Sequence, residues 1–156
     1  MRMVEGSASI VINRPAPEVF AAVVDITRMG EWSPECIAGR WVPPATGPAL
    51  GARFEGDNAA TAGPLTLKRW TTTSEITAYA PNELFEFVAE SYTTWRYELA
   101  ELDGATSVTE SYSFPPFSGW QKVVYGTLLN RPNAMVKGMQ QTLGRIKVAL
   151  ERGPAD

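Results

Sequence analysis

Apolar positions along this chain change period twice, and the changes mark out its elements. From Ser7 to Asn13 small polar and apolar residues alternate, with Ala8, Ile10 and Ile12 on one side, which predicts a strand. Pro15-Ala16-Pro17-Glu18 then opens a helix. Pro17 suits its first position, Glu18 complements the dipole, and Val19, Phe20, Val23 and Val24 form its apolar stripe. The stripe ends between Asp25 and Gly30.

Between Glu31 and Gly63 the pattern is broken by Pro43-Pro44 and Gly47-Pro48. Only short strands are expected there, at Ile37 to Val42 and Ala52 to Gly56, as edge strands joined by loops. Leu67 to Ala80 is rich in Thr, Trp, Ile and Tyr, as a strand is, and is followed by a Pro81-Asn82 turn and a strand from Leu84 to Ala89. A two-residue loop sets Ile76 opposite Phe87 and Ala78 opposite Phe85, with Trp70, Thr72 and Ser74 on the same face.

Asp103-Gly104 is the strongest hairpin signal, joining Thr94–Leu102 to Thr106–Phe114. Loops of even length place Trp95, Tyr97, Leu99, Val108, Glu110 and Tyr112 on one face. A three-residue loop with a bulge would turn one strand over. Helical spacing takes over in the last third, where Met135, Met139, Leu143, Ile146 and Leu150 recur. Asn130 could cap this helix and Pro132 could sit in its first turn. A shorter helix is expected from Trp120 to Leu129.

The expected order is strand, helix, about six strands and a long helix: an α+β fold. Its antiparallel sheet of six to seven strands needs a cover for its apolar face, and the terminal helix is the available one. A twisted sheet curled around one helix seldom fills its interior, so an internal apolar cavity is expected. At 156 residues the chain is the length of one domain, 1–156, with its core at about 7–151.

Composition narrows the chemistry. Hydrophobic residues make up 44% and charged residues 20%, which argues against disorder. The net charge of −3 and the lack of a basic run argue against nucleic acid as a partner. No stretch is apolar for long enough to insert in a membrane, no secretory leader is evident, and Cys36 is the one cysteine, so a cytoplasmic location is expected. The chain contains no histidine. That removes Ser–His and Cys–His nucleophilic pairs, the commonest general base and most zinc or iron sites; neither metal nor cofactor is expected.

Several segments together resemble a known superfamily. They are Ile12-Asn13-Arg14-Pro15-Ala16-Pro17-Glu18-Val19-Phe20, Glu31-Trp32-Ser33-Pro34-Glu35-Cys36, Trp70-Thr71-Thr72-Thr73-Ser74-Glu75-Ile76, Trp95-Arg96-Tyr97-Glu98-Leu99, Val108-Thr109-Glu110-Ser111-Tyr112 and Met139-Gln140-Gln141-Thr142-Leu143. From about Ser7 to Glu151 the chain resembles START-like, Bet v 1-like (SRPBCC) proteins, and among them the bacterial polyketide cyclase/dehydrase-like branch. The resemblance implies the helix-grip fold, with two short helices after the first strand. It carries no catalytic motif over to particular residues, and function is decided by the site.

Trp70, Phe85, Phe87, Trp95, Tyr97, Glu110, Tyr112, Met135 and Met139 are the expected ligand-binding residues. Taken singly, each aromatic reads first as core packed against the terminal helix; the Trp and Tyr polar handles and the methionines favour a pocket. A carboxylate at Glu110 is costly on such a face unless paired, with Lys68 or a tyrosine hydroxyl as its expected partner. Glu110, Tyr97 and Tyr112 are the candidates for any acid–base role. Cys36 reads as a small buried hydrophobe, Glu31 and Glu35 as solvated carboxylates near a cavity entrance, and Asn13-Arg14 and Arg131 as anchors of element ends. The expected function is binding or carriage of a small hydrophobic or aromatic ligand by a monomer or homodimer. A cofactor-independent polyketide cyclase or dehydratase, and an interaction module with a filled core, are the alternatives.

Overall fold

A computed structural model describes residues 2–123 and 131–152, the side chain of Arg131 excepted. Strand β1 (Val4–Ile12) is followed by helix α1 (Ala16–Val24), a 3-10 turn (Ile26–Arg28) and the short helix α2 (Met29–Trp32). Six strands follow: β2 (Cys36–Trp41), β3 (Arg53–Ala62), β4 (Leu65–Ala80), β5 (Leu84–Ala89), β6 (Thr93–Leu102) and β7 (Ala105–Phe114). Helix α3 (Arg131–Arg152) closes the described chain. Most of the helix expected from Trp120 to Leu129 and the cap expected of Asn130 lie outside the described residues.

All seven strands form one antiparallel sheet in the order β1-β7-β6-β5-β4-β3-β2. Strands β2 to β7 are a meander, and β1 completes the sheet by pairing with β7. α3 lies on the inner face, where Met135, Met139, Leu143 and Ile146 are buried. Its far end is tied to the β1–α1 corner: the Asn13 N–H donates to Glu151 Oε2 at 2.9 Å, and the Arg14 guanidinium to the Glu151 carbonyl at 3.1 Å. Asn13-Arg14 thus holds an element end, as its position suggested.

The β6–β7 hairpin follows its turn chemistry. Asp103 and Gly104 both take positive φ, 49° and 88°, the left-handed pair that a two-residue turn matched to strand twist requires. Tyr97 therefore faces Glu110, and Trp95 faces Tyr112.

Three elements depart from the sequence reading. α1 begins at Ala16, with Pro15 as N-cap and Pro17 one place further in. β3 runs on to Ala62 rather than stopping near Gly56, and it is an interior strand between β2 and β4. Its Gly-Asp-Asn-Ala-Ala stretch has no strand signature, so pairing with the Thr-rich β4 imposes the conformation. In the β4–β5 hairpin the turn holds three residues, since Ala80 pairs with Leu84. A bulge between Ile76 and Ala78 then restores the register, so Ile76 faces Phe87 as expected but Tyr79, not Ala78, faces Phe85. The bulge brings the Tyr79 ring inward to meet Phe20, 5.7 Å between centroids.

Candidate functional site

Sheet and helix do not meet along their whole length. Between them lies a cavity of about 470 Å³. Strands β3 and β4 contribute Phe54, Asn58, Trp70, Thr72 and Ser74 to its wall, β5 and β6 contribute Phe87, Trp95 and Tyr97, and β7 contributes Glu110 and Phe114. One side of α3 supplies Ala134, Met135, Gly138, Met139 and Thr142. The segment from α2 into β2 adds Trp32 and Ser33 to Cys36, and the β5–β6 turn adds Glu90 and Tyr92.

Seven of the nine expected ligand residues line this space: Trp70, Phe87, Trp95, Tyr97, Glu110, Met135 and Met139. Phe85 and Tyr112 do not, for different reasons. Phe85 is fully buried and packs between Phe87 and Tyr97, at centroid distances of 5.5 and 6.3 Å. Tyr112 stacks on Phe114 and turns its hydroxyl to the Pro132 carbonyl, 3.1 Å away, at the start of α3. It also fills the space over Gly6, where an added Cβ would come within 2.6 Å of its ring. Tyr112 fastens helix to sheet, and of the two tyrosines it is Tyr97 that meets the carboxyl.

Glu110 is 4% exposed. Its Oε1 accepts a hydrogen bond from the Tyr97 hydroxyl at 2.8 Å, and its Oε2 is buried without a partner. Burial pushes the carboxyl up to about 8, with the Tyr97 bond acting in the other direction. Tyr97 itself is held well above its ordinary value, by burial first and by its neighbour Glu110 second. Near neutral pH the pair is a neutral acid beside a neutral phenol. Lys68, an expected partner, instead lies with its Nζ 5.7 Å from the centre of the Trp70 ring.

Other side chains behave as their surroundings dictate. Cys36 is buried, its thiol donates to the Ala38 carbonyl at 3.4 Å, and burial raises its pKa. Such a thiol is a poor nucleophile. Glu31 pairs with Arg28 at 2.9 Å, while Glu35 lines the cavity. Asn58, which sequence reasoning passed over, gives its amide hydrogens to the carbonyls of Gly56 and Trp70 and to Thr72 Oγ1. Its signal was a polar residue in a segment that did not read as a strand. Among the described residues no three Cys, Asp or Glu side chains gather as a metal site would require, and no helix is long and apolar enough to cross a membrane.

A curved antiparallel sheet that grips one long helix and encloses an apolar cavity is the helix-grip architecture of START-like and Bet v 1-like proteins. Within that class the chain belongs to the family described as polyketide cyclase / dehydrase and lipid transport, which matches residues 3–151. A polyketide-cyclase-like protein from Corynebacterium glutamicum, Cgl2372, is 32% identical; the alignment covers 96% of this chain and 93% of that one, with a TM-score of 0.65. The AHSA1-like protein from Aeromonas hydrophila is 19% identical over 94% of this chain and 93% of its own, with a TM-score of 0.63. The di-domain aromatase/cyclase StfQ, from the steffimycin biosynthetic pathway, is 12% identical over 96% of this chain and 51% of its own, at 0.74. These last two likenesses concern the fold alone. No curated protein matches the chain.

Proposed function

We propose that the protein binds or carries a small hydrophobic or aromatic molecule in the cavity between sheet and α3. The observation that carries this reading is a space of about 470 Å³ whose wall holds one buried carboxyl oxygen without a partner. Ligand pockets commonly span about 300–1,000 Å³ and pair an apolar lining with a few orienting polar groups. An orphaned buried oxygen costs about 1–3 kcal/mol, and a polar group on an occupant would remove that cost. The cavity argues against the alternative of an interaction module with a filled core.

Titration with the neutral fluorophore N-phenylnaphthylamine tests the reading. The expected result is saturable binding to the native protein with quenching of tryptophan emission, because Trp70 and Trp95 line the space. Binding only under partly denaturing conditions would mean that the interior is filled in solution.

One observation supports a second reading, a cofactor-independent cyclase or dehydratase. A buried carboxyl pushed up to about 8 and bonded to a phenol in a cavity wall is suited to proton transfer. StfQ, described as an aromatase/cyclase, shares the architecture. Glu110→Gln separates the two readings, since the amide keeps the shape but cannot pass a proton. Lost turnover with retained binding supports the enzyme.

A further inference from the structure

We infer that the polar group of the occupant is an uncharged hydrogen-bond acceptor, a carbonyl or ether oxygen, set against Glu110 Oε2, and that the cavity rejects anionic molecules of the same shape. This deepens the ligand-binding reading and rests on it.

The first argument concerns where the Glu110 hydrogen sits. A neutral carboxyl has one hydrogen and two oxygens. Oε1 already accepts from the Tyr97 hydroxyl at 2.8 Å. The carbonyl oxygen of a neutral carboxyl accepts better than its hydroxyl oxygen, so the oxygen that takes the Tyr97 hydrogen is the carbonyl one. The acid hydrogen therefore belongs on Oε2, the oxygen with no protein partner. Burial keeps the group in that form, against the opposing pull of the Tyr97 bond. Glu110 belongs to the cavity wall, so the group an occupant meets there is a neutral carboxyl with one uncommitted O–H, and a donor selects an acceptor.

The second argument concerns charge. Among the described residues no Lys or Arg side chain lines the cavity, whereas Glu35, Glu90 and Glu110 do. An anion entering there would lose its hydration with no cation to replace it. Three of the neutral donors in the wall are already engaged, the Thr142 hydroxyl among them, which donates to the Gly138 carbonyl at 2.9 Å. The Asn58 amide is committed to Gly56, Trp70 and Thr72, and the Cys36 thiol to Ala38. A ketone or ether carries little hydration to lose and needs only the one donor that Glu110 provides.

The test uses four naphthalene probes of one shape: the methyl ketone, the ethyl hydrocarbon, the carboxylate and the methylammonium. Each is titrated by calorimetry at about pH 6.5, below the range in which Glu110 ionises. The ketone is expected to bind about tenfold more tightly than the hydrocarbon, the gain of one buried hydrogen bond, and the carboxylate at least about tenfold more weakly than the ketone. Glu110→Gln, whose amide can still donate, should keep the preference for the ketone, and Glu110→Leu should erase it. Equal binding of ketone and carboxylate would overturn the inference while leaving the binding reading intact. So would tightest binding of the methylammonium with its loss in Glu110→Gln, because Glu110 would then be acting as an anion. Saturable binding of none of the four would overturn the binding reading itself, and this inference with it.

Discussion

Folding removes the Glu110 carboxyl from water, and unfolding returns it, so the two states hold its proton with different affinity. The ordinary value of 4.5 rises to about 8 in the folded chain. Below that interval both states are protonated and above it both are ionised. Within it the folded state keeps a proton that the unfolded state releases, so stability falls as pH rises. The melting temperature should therefore decline between pH 4.5 and about 8 by an amount that Glu110→Gln lacks. Parallel pH scans of the two proteins by calorimetry check this. Matching slopes would show that Glu110 is ionised in the fold. Cys36 carries a companion expectation. Its buried thiol should react at least about tenfold more slowly with a disulfide reagent in the native than in the denatured protein, and Cys36→Ser should leave ligand binding intact. Loss of binding in a folded Cys36→Ser protein would give the thiol a role that its burial denies it. That Glu110 faces inward could be read from Asp103-Gly104, because a two-residue turn fixes which strand faces agree. Its choice of Tyr97 over Lys68 could not, since the two lie on different strands and only the packing of the side chains decides which one reaches it.

Among the elements, α3 and β2 make the strictest demands on packing. Met139 is in the middle of the buried stripe of α3, beside Leu143 and Ile146. Met139→Asp would place an unpaired charge there, and the expected loss is at least about 3 kcal/mol, read from urea unfolding. A variant within about 1 kcal/mol of the parent would mean that another side of the helix faces the sheet. β2 lies so close to the 3-10 turn that a Cβ at Gly39 would run into the Ile26 carbonyl oxygen, and both partners are backbone. Gly39→Ala should thus destabilise despite its small size, by about 1–3 kcal/mol, whereas Gly138→Ala, with only Pro34 nearby at 3.6 Å, should be tolerated. Equal melting temperatures for the two variants would contradict the close approach. Elements whose signals are local were legible in the sequence: the Asp103-Gly104 turn, the α3 stripe, the alternation in β1. β3 was legible only in its first half, because its second half owes its conformation to a neighbouring strand. The bulge after Ile76 left no local mark, and it is what carries Tyr79 to the inner face.

At the scale of the whole molecule, the cavity is what remains after every element has packed as far as its side chains allow. That a curled sheet with one covering helix leaves such a space was foreseeable from the element order. Which aromatics border it was not, since Phe85 and Tyr112 lie on the same face as Phe87 and Tyr97 yet fill core beyond the cavity wall. The closing pair of the sheet has a further consequence, and it concerns time. β1 pairs only with β7, and Ser9 bonds Thr109 at a separation of 100 residues. The meander can assemble hairpin by hairpin, but β1 must hold off until the far end of the sheet exists. Side chains on β1 then contribute little to the folding transition state. Ile12→Val, at a fully buried site, should cost about 1 kcal/mol, appear almost wholly as faster unfolding, and leave the refolding rate nearly unchanged. Stopped-flow measurements of both limbs would show this. A refolding rate that falls in proportion to the lost stability would mean instead that the first strand and the last find each other early, and that the hairpins between them form within a loop already closed.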